Sequence, residues 1–279
     1  MRNCEILGIL NLTHDSFSDG GKYLNSDDAI VQAIHLWENG ANTIDLGAQS
    51  SNPDAETISE EVEWSRLEKV ILAIKENFSN KHERPKISID SFKPGILKKA
   101  LEYKIDYWND ITALADDECI QILESSNTIP NLILMYSHSQ TYKAERKSHL
   151  KMDTIIDTIC TFFDAKRKFL LARGIPEDKL IFDPGMGFFL GEDPNLSYKI
   201  IKDLEILRQE FPKLLISVSR KSFLTAAIGA VSPNQRSSAT LAAEIVCYQK
   251  GVDFIRTHEP KQLKQAIEVL SKIQNLGFY

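Results

Sequence analysis

The sequence predicts an α/β protein that folds as a single-domain (β/α)8 barrel, a TIM barrel, on three observations. Eight short apolar segments alternate with helical patterns along the 279 residues. Most of these segments are continuously apolar, as strands are when both faces of a parallel sheet are covered. No linker, low-complexity segment or repeat of fixed period divides residues 1–279. Eight strand–helix units favour a closed barrel, and a doubly wound sheet is the second architecture that the pattern allows.

The predicted strands are short apolar runs that each lead into a polar loop. They span residues 6–11, 43–46, 86–90, 106–109, 132–135, 180–183, 214–218 and 254–258. Several of these runs lead to a residue that can bind phosphate, metal or a heterocycle: Asn11, Asp45, Asp90, Asn109, Asp183, Lys221 and His258. The carboxyl ends of the strands form the catalytic rim of a barrel enzyme, so we expect these side chains to meet there.

Helical patterns fill the intervals between the strands. In one of them, apolar residues recur three and four positions apart at Leu67, Val70, Ile71 and Ile74. Ser59 is expected to cap this helix at its amino end. The glycines expected just past helix ends are Gly40, Gly174 and Gly251. The longest irregular stretches are residues 13–25, 49–57, 137–151 and 225–236; all but the last directly follow a strand and are candidate active-site loops.

Composition and charge argue against several classes of function. With 43% hydrophobic residues the chain can bury one large core, and its net charge of −6 argues against a nucleic-acid partner, which would need clustered Lys and Arg. No apolar run approaches the roughly 20 residues that cross a bilayer, so we expect no membrane association and a cytoplasmic location. The cysteines are scattered without CxxC spacing, which predicts reduced and mostly buried thiols at Cys4, Cys119, Cys160 and Cys247.

Two carboxylates at strand ends indicate a polar ligand. Asp90 and Asp183 each close an apolar strand, where an unpaired carboxylate in a partly dry pocket would be costly. A heterocycle with a ring N–H beside an exocyclic amino group would satisfy one carboxylate with two hydrogen bonds, as guanine-like and pterin-like edges do. Asn109 could add a matching amide contact.

Cations after the last two strands indicate an anion. Residues 217–222 carry Arg220 and Lys221 among hydroxyls, for which phosphate or a carbonyl is the natural ligand. Arg256 and His258 alternate along the eighth strand, so their side chains share a face and together form an oxyanion clamp. Asn11, on the adjoining first strand, offers a neutral oxygen suited to Mg²⁺ that substrate phosphates also hold.

Seven segments, in order along the chain, resemble the motifs of one known family. They are residues 11–21, 45–53, 88–91, 109–111, 183–188, 219–222 and 256–258. The first, NLTHDSFSDGG, and the fifth, DPGMGF, are the most specific. Together they resemble the dihydropteroate synthases over the whole chain.

The resemblance implies a transferase reaction in folate biosynthesis. Dihydropteroate synthases join 6-hydroxymethyl-7,8-dihydropterin diphosphate to p-aminobenzoate, releasing diphosphate and giving 7,8-dihydropteroate. By this resemblance the C–O bond of the pterin substrate breaks before the amine attacks. Stabilised leaving-group charge, carboxylates facing a cationic ring and loops that exclude water would serve that step. The resemblance also implies Mg²⁺ as cofactor and a homodimer.

The resemblance carries roles to individual positions. The residues implied at the pterin are Asp90, Asn109, Asp183 and Lys221, with Met135 and Phe188 as an apolar wall. Those implied at the diphosphate are Arg256, His258, Ser51 and, through Mg²⁺, Asn11, and Thr257 is implied only as a substrate-binding residue. Those implied at p-aminobenzoate are Asp15, Ser16, Phe17 and Ser222. Catalytic roles are expected of Asp15, Lys221, Arg256 and His258.

Departures from the family pattern cluster in the loops. Residues 13–16 read THDS where TPDS is usual, 49–54 read QSSNPD where ESTRPG is usual, and 187–190 read GFFL where GFGK or GFAK is usual. These loops resemble instead the divergent, sulfonamide-insensitive branch of the family, although an ordinary enzyme of a related lineage could share them. We therefore expect tolerance of sulfonamides, with Phe189 and Leu190 adding bulk beside the p-aminobenzoate pocket.

Two other functions fit parts of the pattern. A pterin-binding methyltransferase domain shares the barrel and the pterin-binding acids but passes a methyl group to a corrinoid partner. Such a domain has little need for a diphosphate clamp, so Lys221, Arg256 and His258 argue against it. A non-catalytic paralogue that only binds pterin or a partner is the second alternative, and a turnover assay distinguishes it from an enzyme.

Overall fold

The fold is a closed barrel of eight parallel strands, seen in a computed structural model that describes residues 4–13, 26–50, 56–78, 83–139 and 142–275. The strands are β1 Glu5–Asn11, β2 Thr43–Gly47, β3 Lys86–Asp90, β4 Tyr107–Asp110, β5 Asn131–Met135, β6 Leu180–Asp183, β7 Leu215–Ile216 and β8 Phe254–Thr257. Their order is β6-β5-β4-β3-β2-β1-β8-β7, with parallel pairing throughout. A parallel bridge between Phe182 and Leu214 joins the two ends of this sheet. The predicted (β/α)8 barrel is confirmed.

Helices connect successive strands along the described residues. They are α1 Ser26–Glu38, α2 Glu60–Asn77, α3 Pro94–Glu102, α4 Asp117–Ser125, α5 Ile155–Ala172, α6 Pro194–Glu210, α7 Thr225–Ile228, α8 Ser237–Gln249 and α9 Pro260–Asn275. Short 3₁₀ turns lie at Glu177–Lys179, Gly187–Phe189, Ser222–Leu224 and Pro233–Arg236. The described residues include no helix that is both long and apolar enough to cross a membrane.

The predicted helix signals are borne out locally. The side chain of Ser59 accepts a hydrogen bond from Val62 N at 3.4 Å and so caps α2. The predicted apolar positions of that helix, Leu67, Val70, Ile71 and Ile74, are all buried. Gly40, Gly174 and Gly251 follow helix ends with φ of 101°, 79° and 83°, a backbone conformation that favours glycine.

Two predictions around strand seven are wrong. β7 spans only Leu215 and Ile216, with an isolated bridge at Leu214, rather than residues 214–218, because the chain turns away into the polar segment that follows. Residues 225–236 are not irregular, since they contain α7 and a 3₁₀ turn at Pro233–Arg236. Ser232 opens that turn with a reciprocal capping box to Gln235, a signal that the sequence carries.

Side chains alternate between the two faces of each strand, so the barrel has an outer and an inner apolar layer, and a polar rim at its carboxyl end. Residues such as Ile44, Leu46 and Ile87 pack outward in the large core between strands and helices. A second cluster fills the barrel interior with Leu7, Tyr107, Ile133, Ile181 and Leu215. At the carboxyl ends of the strands the inward side chains become polar, which places ionisable groups above an apolar floor.

Candidate active site

The centre of the site is an arginine held by two carboxylates. Arg256 reaches from β8 across the barrel, and its Nε donates to Asp45 Oδ2 at 2.6 Å while Nη2 donates to Asp90 Oδ2 at 2.6 Å. Asp45 also accepts from Ser88 Oγ, at 2.5 Å, and lies 3.5 Å from Asn109 Nδ2. The second, third, fourth and eighth strands thus meet through one hydrogen-bonded network.

Burial perturbs the acids of this network. Burial raises the pKa of Asp90 to about 7; Arg256 opposes the shift, and the negative charge of Asp45 adds to it. Burial also raises the pKa of Asp183, against the opposing effects of Lys221 and of the Gly185 N–H. Both carboxylates therefore favour a ligand that can donate hydrogen bonds and restore their charge.

The turn after β6 fixes the direction of Asp183. The Gly185 N–H donates to Asp183 Oδ1 at 2.9 Å. Gly185 has φ of 69°, and a Cβ there would stand 2.2 Å from the carbonyl oxygen of Tyr136, so a side chain cannot be accommodated. The carboxylate is thereby held at the mouth of the barrel, where Met135 is its neighbour in register on β5.

Lys221 lies over an aromatic ring and within electrostatic reach of Asp183. Its Nζ donates to the carbonyl of Met186 at 3.1 Å and stands 4.8 Å from the ring centroid of Phe189. Burial lowers the pKa of Lys221 to about 8, although Asp183 acts in the opposite direction. With that pKa, the Lys221 side chain can gain or lose its proton close to neutral pH.

His258 is a neutral hydrogen-bonding group. Burial and then the cations Arg220, Arg256 and Lys221 lower the pKa of its imidazole to about 3. Ser219 Oγ accepts from His258 N at 3.2 Å and lies 2.9 Å from His258 Nδ1. When the serine proton points at Nδ1, the ring proton is on Nε2 and is available to a ligand.

Thr257 is not brought to the site, contrary to the expectation from the sequence. It is fully buried, because alternation along β8 turns it to the side opposite Arg256. Its Oγ1 accepts from Glu259 N at 3.1 Å and lies 3.5 Å from Ser219 Oγ. The residue therefore supports its neighbours rather than contacting a ligand.

A cavity of about 560 Å³ opens beside Lys221. Its lining comprises Ser50, Ala144, Met186, Gly187, Phe188, Phe189, Lys221, Ser222, Pro233 and Arg236. Phe188, Lys221 and Ser222 were predicted at the site, whereas Pro233 and Arg236 were missed because their segment does not directly follow a strand. Leu190, expected beside the pocket, is instead fully buried. Only Phe189 of that pair lines the cavity, with its side chain half-buried.

Residues of different loops contact one another at the edge of the site near Asp90. The ring of Tyr142 stacks on Phe92 with centroids 4.6 Å apart, and its hydroxyl bonds Thr57. Gln49 accepts from Ile58 N at 2.9 Å and donates to backbone oxygens at both ends of its loop. The segments after β2, β3 and β5 are thus joined by side-chain contacts.

Most of the predicted site residues that the structure describes converge here. The structure brings together Asp90, Asn109, Met135, Asp183, Phe188, Lys221, Ser222, Arg256 and His258 at the carboxyl end of the barrel. Asn11 lies close to Asp90, with Gly47 beside both. A Cβ on Gly47 would stand 3.7 Å from Asn11 Oδ1 and 3.6 Å from Asp90 Oδ2. Asp15, Ser16, Phe17 and Ser51 lie outside the described residues.

Comparison with known proteins identifies relatives across nearly the whole chain. The family described as "Pterin binding enzyme" matches residues 7–258. Dihydropteroate synthase type-2 from Escherichia coli is 42% identical over 270 residues, which cover 96% of each chain. Dihydropteroate synthase type-3 from Escherichia coli is 40% identical over 266 residues, covering 95% of this chain and 97% of the relative.

Solved structures agree with these relatives. A Yersinia pestis dihydropteroate synthase in a sulfonamide drug complex superposes with a TM-score of 0.85 at 27% identity, covering 98% of this chain and 95% of the other. An Anaplasma phagocytophilum dihydropteroate synthase with bound 6-hydroxymethylpterin-monophosphate superposes with a TM-score of 0.83 at 28% identity, covering 97% and 99%.

Proposed function

Since the chain belongs to the pterin-binding enzymes, in the dihydropteroate synthase family, we propose that it condenses 6-hydroxymethyl-7,8-dihydropterin diphosphate with p-aminobenzoate to give 7,8-dihydropteroate and diphosphate. One observation carries this proposal: buried acids with raised pKa values, Asp90 and Asp183, share one rim with Arg256, Lys221 and His258. A hydrogen-bond-donating heterocycle and an anion can therefore bind side by side.

The pterin edge is assigned to the carboxylates. An amino-pyrimidinone edge donates two parallel hydrogen bonds and satisfies one buried carboxylate completely. Asp183 is oriented for this by Gly185, and Asn109 adds an amide that can donate and accept. Met135, buried at the end of β5, supplies an apolar surface for the ring.

The leaving diphosphate is assigned to Arg256 and His258. The reaction breaks the C–O bond of the pterin methylene group, and its electron pair leaves with the diphosphate. The amine nitrogen then forms the new C–N bond and loses a proton. The guanidinium of Arg256 can stabilise the departing charge, and neutral His258 can donate from Nε2. Deprotonated carboxylates at the ring favour the positive charge that develops there.

Mg²⁺ is proposed as a companion of the diphosphate. Within the described residues no group of three or more His, Cys, Asp or Glu could hold a metal ion. Asn11, a single neutral oxygen at the mouth of the barrel, fits an ion that is held chiefly by phosphate oxygens. When bound, such an ion would neutralise part of the leaving-group charge.

The test of the metal role is turnover in excess chelator. We expect dihydropteroate formation to require Mg²⁺ or a similar hard cation, measured as diphosphate release with both substrates present. Restoring Mg²⁺ to the chelated enzyme is the control and should restore the rate. Undiminished turnover with excess chelator would contradict the role of Asn11.

p-Aminobenzoate is assigned to the cavity beside Lys221. Phe188 and Phe189 offer apolar walls for an aromatic ring, and Ser222 offers a hydroxyl to its carboxylate. The guanidinium carbon of Arg146 stands 5.7 Å from the ring centroid of Phe188, one of the residues that line this cavity. We propose that the half-buried Phe189 also disfavours sulfonamides, which project beyond the volume of p-aminobenzoate.

We also propose that the protein forms a homodimer and is located in the cytoplasm. Exposed apolar side chains on the last two helices, Val246, Val269 and Ile273, support an interface there. Light scattering coupled to size exclusion tests the dimer, and a monomer at micromolar concentration would contradict it. The cytoplasmic location stays a prediction from the sequence, which cell fractionation tests.

A further inference from the structure

Asp45 is a buried carboxylate for which the proposed reaction has no role. It lies in the middle of β2, between the outward-packed Ile44 and Leu46, and is fully buried in the barrel interior. In the register of β2 with β3 it faces Ser88, two residues below Asp90. A bound pterin edge at Asp90 and Asp183 therefore leaves Asp45 beneath it.

The contacts of Asp45 point at Arg256. Its Oδ2 accepts from Arg256 Nε at 2.6 Å, and its Oδ1 is held by Ser88 Oγ at 2.5 Å. A buried ion pair rarely stabilises a fold by more than well-packed apolar residues would, since both charges must lose their water. Stability of the fold alone therefore does not account for the pair.

The guanidinium is fixed at two of its three nitrogens. Nε lies on Asp45 and Nη2 lies on Asp90, each at 2.6 Å. Two anchors on a planar group set both its plane and its direction. Among the described residues, none accepts a hydrogen bond from the third nitrogen, Nη1.

Resting on the proposed function, we propose that Asp45 is a positioning residue that holds Arg256 so that Nη1 meets the departing diphosphate. Asp90 alone cannot do this, because the pterin edge engages that carboxylate during the reaction. Asp45 provides an anchor that the substrates do not reach, and the arginine keeps one orientation while the ring binds.

The first test is Asp45→Asn, which keeps the size and the acceptor oxygen but removes the charge. We expect kcat to fall about 10- to 100-fold, the loss typical of a displaced charge-stabilising group. The affinity for inorganic diphosphate, measured by calorimetry, should fall because the guanidinium of Arg256 is no longer held toward it, whereas the affinity for 6-hydroxymethylpterin should stay unchanged. A parallel weakening of diphosphate and pterin, with a lowered Tm, would show a merely structural role and overturn the inference.

The second test is a double-variant cycle with Arg256→Lys. Lysine keeps the charge of Arg256 but has no planar fork to orient. Asp45→Asn should therefore reduce kcat by less than about 5-fold in the Arg256→Lys background, the non-additivity expected when one residue acts through another. Equal losses in both backgrounds would overturn the inference.

A third variant, Ser88→Ala, tests the inference if the Asp45→Asn protein does not fold. Ser88→Ala leaves both charges in place but removes the hydroxyl that holds Asp45 Oδ1. We expect a smaller loss of kcat that again disappears in the Arg256→Lys background, and persistence of the loss there would contradict the inference. A parent protein that releases no diphosphate would instead refute the proposed function, and this inference with it.

Discussion

One residue of the site, Arg256, has two roles that the sequence suggested were separate. Arg256 is both part of the phosphate clamp and the partner of two carboxylates. Arg256→Ala would therefore remove anion affinity and also leave Asp45 and Asp90 without their cation, which is strongly destabilising in a buried setting. Arg256→Lys is the better probe of the clamp.

The carboxylate of Asp183 should be indispensable for pterin binding. Asp183→Asn keeps an acceptor for the Gly185 N–H but replaces one oxygen with a donor that opposes the ring edge. We expect pterin binding to weaken by about 2–4 kcal/mol, measured by calorimetry with the pterin diphosphate. Asp193→Asn at the cap of α6 is a matched control, since Asn caps helices equally well. Equal affinity in the parent and Asp183→Asn would contradict the assignment of the pterin edge.

Pterin affinity should depend on pH through Asp90. A ring edge that donates hydrogen bonds prefers the charged carboxylate, and the pKa of Asp90 is raised to about 7. The affinity for 6-hydroxymethylpterin should therefore fall as the pH drops below about 7, where the free enzyme holds the proton. Calorimetry between pH 5.5 and about 8 measures this dependence. Asp90→Asn should bind weakly without that slope, and a slope that persists in the variant would assign it to another group.

At the scale of elements, the loop after β6 determines the shape of the second cavity. The 3₁₀ turn Gly187–Phe189 presents Phe188 and Phe189 to the cavity and turns Leu190 into the core. Exchanging Leu190 for lysine would bury an unpaired charge, so the pair cannot be exchanged together. The contribution of Phe189 must be tested alone.

Removing Phe189 should sensitise the enzyme to sulfonamides. Phe189→Gly opens the cavity, and relief of a clash of about 3 kcal/mol would strengthen sulfamethoxazole binding roughly a hundredfold. Inhibition constants, compared with the KM for p-aminobenzoate, measure the change. Leu190→Met, a buried swap of similar volume, is the control and should leave inhibition unaltered. A parent already inhibited near its substrate KM, with no change in Phe189→Gly, would contradict this role.

At the scale of the whole molecule, stability and chemistry occupy opposite ends of the barrel. At the amino end, Glu5 accepts from Thr43 Oγ1 at 2.6 Å and from Tyr107 OH at 2.8 Å, and Lys86 Nζ lies 2.8 Å from its other oxygen. This cluster closes the floor beneath the interior apolar layer. Among the described residues, this cluster has no hydrogen bond or ion pair with a proposed ligand-binding side chain.

Tyr107→Phe should therefore lower stability and leave catalysis intact. The variant removes a hydroxyl that serves both Glu5 and Lys86, which should lower the free energy of unfolding by about 1–2 kcal/mol. Chemical denaturation measures the loss, and kcat is measured alongside. Tyr103→Phe, which breaks a more exposed bond to Glu68, should cost less. A fall in kcat with unchanged stability would contradict this division of the barrel.

The sequence alone determined the architecture of this protein and most of its rim. Burial on both faces makes parallel strands continuously apolar, and the punctuation at Ser59 and Gly40 depends on local backbone chemistry, so both can be read without coordinates. Parallel strands end at the same edge, so Asp90, Asn109 and Asp183 were predicted together. The family resemblance added their ligands.

The pairing of the rim residues and the direction in which they face depend on the packed barrel and could not be predicted from the sequence. Asp45 was identified as a strand-end residue but lies in mid-strand, and its contact with Arg256 joins positions 211 residues apart. Thr257 and Leu190 were assigned to the site through the family resemblance, although alternation on a strand and the direction of a turn bury both. Arg236 reaches the cavity from the third element after β7, the 3₁₀ turn Pro233–Arg236. Such outcomes depend on contacts between distant segments, because burial and pairing are properties of the packed barrel rather than of any local pattern.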